Sequence, residues 1–103
     1  MSNQIYYIEG IWKIVFAENI AKPAFCMLTQ TDNTFAGVFH RSRGDLLVKG
    51  ALNNDGNIVF TADSILGSFN FFGILNGESM YGIVYSPGGK CRKNWTAIKV
   101  IDE

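Results

Sequence analysis

Apolar residues recur along the chain in short blocks rich in Phe, Tyr, Val and Ile, punctuated by Gly, Asn, Asp, Ser and Pro. Blocks of this length at a spacing of roughly 8–12 residues mark an all-β domain, and no block sustains a helical period. The pattern predicts strands at Gln4–Phe16 (bent at Gly10), Phe25–Thr31, Thr34–Phe39, Leu46–Leu52, Ile58–Ala62, Ser68–Leu75, Met80–Tyr85 and Trp95–Ile101. A single helical turn at Glu18–Ala21 is the one exception, ended by Pro23.

Tight turns are expected at Thr31-Asp32-Asn33-Thr34, Asn53-Asn54-Asp55-Gly56 and Asn76-Gly77-Glu78-Ser79, where the residues tolerate left-handed backbone or cap themselves. Longer links fall at Ala17–Ala24, His40–Asp45, Asp63–Gly67 and Ser86–Asn94. Long and short connections alternate, so in an up-and-down meander all the long loops share one end and all the tight turns the other. An antiparallel sheet of about eight strands removes its exposed edges by closing. The expected fold is therefore an antiparallel up-and-down meander closed into a small lipocalin-like β-barrel, one domain over residues 1–103, with a two-sheet sandwich as the alternative. Gly37, Gly50, Gly73 and Gly82 suit strands that bend at barrel corners.

Charged residues set the phase of each strand, because successive side chains point to opposite faces. Lys13 outward turns Trp12, Ile14 and Phe16 inward; Lys49 outward turns Val48, Gly50 and Leu52 inward; Asn70 outward turns Phe69, Phe71 and Leu75 inward. The lumen is then apolar and crowded with rings. Such a barrel is filled by its own side chains or holds one small ligand. The same phasing sets Lys99 on the outer face.

Composition narrows the partners. Nine Lys+Arg balance nine Asp+Glu, and only 17% of residues are charged, so bulk electrostatics predicts no nucleic-acid partner. No apolar run approaches the ~20 residues of a spanning helix, and the opening MSNQIYY has neither a basic n-region nor an apolar h-region. Both predict a cytoplasmic protein with no membrane partner. Cys26 and Cys91 match no redox pair, and both are expected reduced. With one histidine, His40, no metal site and no cofactor are expected.

Gly10-x-Trp12 on a first strand, the run of hairpins, and the closing NWTAIK with its basic residue together resemble the calycin group of lipocalins, fatty-acid-binding proteins and avidins. The resemblance implies that Trp12 sits at the closed end of the barrel and that Lys99, where arginine is usual, packs across its indole. A lysine can do so by cation–π contact, although it stacks less well than a guanidinium. The chain is also similar to small bacterial barrel domains with a Gly-x-Trp start, a GxV in each hairpin and a Trp-Thr-Ala end. Those domains mostly have no assigned activity.

Sorting charges by barrel end changes the picture of a neutral protein. The tight turns carry Asp32, Asp55 and Glu78 and no cation, while the long-loop end carries Lys22, His40, Arg41, Arg43, Lys90, Arg92 and Lys93 against Glu18, Asp45 and Asp63. Cations around a concave, low-dielectric mouth attract an anion. Arg41 and Arg43 are two residues apart, so where the strand persists through them they point the same way and can grip one oxyanion together. The expected function is thus a non-catalytic binding module for a small, partly apolar or amphipathic anion, with Lys22, His40, Arg41, Arg43, Arg92, Lys93 and Phe71 as ligand-binding residues and Trp12 and Lys99 as structural ones.

Two alternatives stand beside it. One is a packed barrel that binds a protein partner or its own copy through exposed aromatics, for which Tyr6, Tyr7, Phe72 and Trp95 are candidates. The other is a small enzyme using His40 as general base beside Asp45, but no nucleophile elbow, paired-carboxylate motif or metal spacing accompanies it, and no catalytic residue is assigned. Ser86-Pro87-Gly88-Gly89-Lys90 lacks the spacing of a phosphate loop. The tripeptide Arg43-Gly44-Asp45 and the sequon Asn94-Trp95-Thr96 are discounted for an unsecreted chain.

Overall fold

A computed structural model describes residues 6–17 and 23–100. They form eight strands: β1 (Gly10–Phe16), β2 (Ala24–Thr31), β3 (Thr34–His40), β4 (Leu46–Leu52), β5 (Asn57–Ser64), β6 (Gly67–Asn76), β7 (Ser79–Tyr85) and β8 (Arg92–Lys99), with a short 3-10 turn at Pro87–Gly89. Each strand pairs antiparallel with the next, and β1 pairs with β8 from Trp12↔Lys99 to Phe16↔Trp95, which closes the ring. Closure excludes the two-sheet sandwich. The helical turn expected at Glu18–Ala21 lies outside the described residues.

The turns follow from their residues. Asp32 takes φ +55°, and Gly77 takes φ +64°. The Asn53 side-chain oxygen accepts hydrogen bonds from the backbone N–H groups of Asp55 and Asn57, closing the β4–β5 turn. Inward phases hold for β1, β4 and β6: Trp12, Ile14, Val48, Leu52, Phe71 and Leu75 are buried, and Phe16 and Phe69 are half-buried.

Three expectations are corrected. The segment Asp63–Gly67 is not a long link; β5 and β6 continue to Ser64↔Gly67 and leave a two-residue turn, Ile65-Leu66. The last strand begins at Arg92, and its inward residues are Trp95, Ala97 and Lys99, so Trp95 is buried and belongs to no exposed patch, while Lys99 leaves the outer face. The first strand begins only at Gly10. Residues 6–9 run as a strap across the tight-turn end instead.

That strap seals the floor. Ile8 is fully buried, and its carbonyl accepts the Trp12 indole N–H at 2.7 Å, which satisfies the one polar atom of a ring with no exposure. Gln30 pins the strap at two points: its side-chain oxygen accepts the Ile8 N–H at 2.8 Å, and its amide donates to the Tyr6 carbonyl at 2.9 Å. Glu9 adds a third tie by accepting the Gln30 backbone N–H. Lys99, opposite Trp12 in the closing ladder, sets its Nζ 5.9 Å from the indole centroid. Its stem passes where a side chain at position 10 would be: a Cβ on Gly10 (φ +135°) would meet Lys99 Cε at 2.7 Å. Gly10 is thus fixed first by its backbone, since L side chains rarely adopt φ +135°, and the Lys99 stem that covers the tryptophan runs through the space beside it.

Trp12→Ala is expected to lower unfolding free energy by about 3–5 kcal/mol, because a fully buried ring leaves a cavity the barrel cannot collapse into. Gln30→Ala, which strands the Ile8 N–H, is expected to cost ~1–3 kcal/mol. Urea denaturation of both variants measures this, and a near-neutral Gln30→Ala contradicts the strap.

Candidate functional site

The lumen is filled unevenly from floor to mouth. Across its middle, Phe60 and Phe71 stack at 4.4 Å between centroids, and Trp95 sets its edge against both at 5.7 and 5.6 Å. The stack fits because Gly73 has no side chain; a Cβ there would lie 2.8 Å from the Trp95 ring. Trp95 directs its N–H to the Ile83 carbonyl. On the mouth side Phe71 also meets Phe16 and Phe39, the three centroids lying 6.0–6.4 Å apart in a triangle.

Over the triangle a cavity of about 490 Å³ opens at the loop end of the barrel. Its walls are Phe16, Phe39, Leu46, Phe69, Phe71 and Val84, with the small residues Ala24 and Ala62 leaving the space that larger ones would occupy. Arg41, Arg43 and Lys93 stand at its rim beside Ser42, Ser86 and Cys91. Among the described residues no group of His, Cys, Asp and Glu is arranged to hold a metal ion.

The sequence-predicted residues divide. Arg41, Arg43, Lys93 and Phe71 meet at this cavity. The strand phase that was expected to align the two arginines ends at His40; a turn carries them instead, closed by a Gly44 N–H to Arg41 carbonyl bond and by Arg41 Nε donating to the Gly44 carbonyl at 3.1 Å. His40 follows inward Phe39 and so lies on the outer face, where its Nδ1 is 2.9 Å from Asp45 Oδ1 with both side chains exposed. Arg92 alternates with inward Lys93 and likewise faces outward. Lys22 lies outside the described residues.

Sequence reasoning missed the loop contributors Pro23, Ser86 and Cys91. Ser86 and Cys91 clasp the β7–β8 loop: Ser86 N–H donates to the Cys91 carbonyl, and Cys91 N–H to Ser86 Oγ. A serine five residues before a cysteine carries no motif, so only the fold brings them to the rim. Phe39 and Leu46 were legible as strand ends but gained a role only once the mouth was placed.

The two thiols are free and unlike. Burial beside Trp12 and Ile14 pushes the Cys26 thiol up from 9.0 to about 12, since no countercharge compensates the loss of water around a thiolate. Cys91 is exposed. A thiol reagent is expected to modify one cysteine in the folded protein and two in denaturant. The neutral Cys26 thiol favours the fold fully below about pH 9, and this contribution falls away as pH rises toward 12, because the unfolded chain ionises first. Cys26→Ala is expected to flatten that alkaline slope in pH-dependent denaturation; an unchanged slope contradicts the assignment.

No protein-family model, no curated protein and no solved structure matches the chain.

Proposed function

We propose that this barrel is a non-catalytic binding module whose mouth cavity takes one small, partly apolar anion. The observation that carries the proposal is a cavity of about 490 Å³ with an aromatic base, apolar walls and three cations at one rim. Its size falls in the range of ~300–1,000 Å³ typical of small-molecule sites. Rings and aliphatic walls bury the ligand's body, while Arg41 and Arg43 at the rim meet its carboxylate or phosphate with charge-assisted bonds. Kinship with the calycin group belongs to the same proposal, supported by the closed eight-stranded meander and by Lys99 over Trp12. The compartment that goes with this reading is the cytoplasm, where thiols stay reduced.

Outer-wall residues favour a second reading, in which β5–β7 dock on a partner or a second copy. Val59 and Phe72 are cross-strand partners, Phe72 faces Ile83, and Ile74 faces Tyr81, with no charged side chain among them. Light scattering tests it: a dimer abolished by Phe72→Ser supports this reading, and a strict monomer removes the homodimer.

A thermal-shift panel of aromatic and aliphatic acids tests the first reading, alongside native mass spectrometry of protein purified from cells. Ligand at about a hundred times Kd is expected to add ~2.7 kcal/mol of stability, a shift of several degrees. In Arg41→Gln/Arg43→Gln the shift for acids is expected to shrink while that for the matched neutral alcohols stays. A bare mass with no shift from any acid contradicts the proposal.

A further inference from the structure

At the same end as the cavity, the two-residue turn joining β5 and β6 holds the most exposed aliphatic side chains of the described barrel. Ile65 is 101% exposed and Leu66 84%, next to each other at a hairpin tip. Turn chemistry does not ask for them. Two-residue hairpin loops favour Asn, Asp and Gly. The bonds that shape this one come from its flanks: Ser64 Oγ accepts the Leu66 N–H, and the Ser64 hydroxyl donates to the Gly67 carbonyl at 2.7 Å. The tip is therefore a formed prong whose apolar residues serve no contact inside the barrel.

Barrel order sets what surrounds it. The β5–β6 hairpin stands between the β3–β4 loop, bearing Arg41 and Arg43, and the β7–β8 connection with the start of β8, bearing Lys90 and then Arg92 and Lys93. On the second side the two are in contact, since β6 touches the Pro87–Gly89 turn and a Cβ on Gly67 would lie 3.1 Å from Pro87. Against these five cations the described mouth sets Asp45, within reach of His40, and Asp63, which accepts the Ser68 hydroxyl.

We infer that the mouth docks on an anionic lipid surface, with Ile65 and Leu66 entering the acyl boundary and the flanking Arg and Lys side chains meeting lipid phosphates. Crossing a bilayer needs a long apolar segment, whereas lying on one needs only an apolar prong and complementary charge in the same plane. A protein partner is less well matched, because the apolar area is two side chains wide and its surround is charged with one dominant sign. Docked this way, the cavity opens toward the lipid, so an amphipathic ligand passes between the two without crossing water. The docking itself stands on the prong and its cations, and does not require the cavity to be filled.

Sedimentation of the full chain with vesicles tests it, using phosphatidylcholine alone and phosphatidylcholine with about a third phosphatidylglycerol. Binding is expected to the anionic vesicles, weakening as salt screens the cations. Ile65→Ser/Leu66→Ser is expected to reduce bound protein roughly tenfold with an unchanged circular-dichroism spectrum and melting temperature. Lys90→Gln/Arg92→Gln is expected to weaken binding to the anionic vesicles only. The inference is overturned by absence of pelleting, by equal pelleting with both vesicles, by a serine variant that pellets like the parent, or by a dimer that the serine variant dissociates. Loss of ligand binding in free solution with vesicle binding intact removes the binding-module proposal and leaves this one standing.

Discussion

Closing eight strands into a ring leaves a lumen just wide enough to be filled by the ring's own side chains, and every other feature depends on how that narrow space is shared. The closing ladder of β1 with β8 brings Trp12 against Lys99 at one end and Phe16 against Trp95 toward the other. At the floor, Trp12 and Ile8 occupy the axis under a strap tied by Gln30. In the middle, Phe60, Phe71 and Trp95 pack ring on ring. Toward the mouth the inward positions of β2 and β5 shrink to Ala24 and Ala62, and side-chain volume no longer fills the section. The opening is a consequence of two small residues on a closed sheet.

Charge is distributed along the same axis. The turns at the sealed end carry Asp32, Asp55 and Glu78, while Arg41, Arg43, Lys90, Arg92 and Lys93 gather at the open one. Zero net charge hides this polarity. Sequence position explains it, since in a meander alternate connections return to the same end, and a chain can sort its charges by parity alone. The same parity sets Ile65-Leu66 among the cations, so an apolar prong, a cationic surround and an apolar cavity all face one way.

Much of the barrel was legible because single charges punctuate its strands. Lys13 and Lys49 each sit between apolar neighbours, so one outward residue phases the whole strand. The eighth strand defeated that logic. Arg92-Lys93-Asn94 offers no alternation, and Lys99 points inward because its long stem can lie over Gly10 with the ammonium near the indole face, a packing that only the closed ring creates. Asp63-Ser64-Ile65-Leu66-Gly67 has the composition of a loop, yet the ladder runs to Ser64↔Gly67 because backbone pairing outweighs those side-chain preferences. The strap was illegible, since Tyr6-Tyr7-Ile8-Glu9 continues the alternation of the strand behind it. In the site, the arginines followed from loop parity, whereas the void came from missing volume, to which no residue type points.

Filling that void is the most direct measurement. A fluorescent apolar anion such as anilinonaphthalene sulfonate, titrated into the parent and into Ala62→Trp, reads whether the space above Phe71 is where a ligand goes. One molecule bound per barrel in the parent, and binding lost in a variant that still melts cooperatively, is the predicted result. No binding by the parent, or equal binding by both proteins, would contradict an open barrel built to hold a guest.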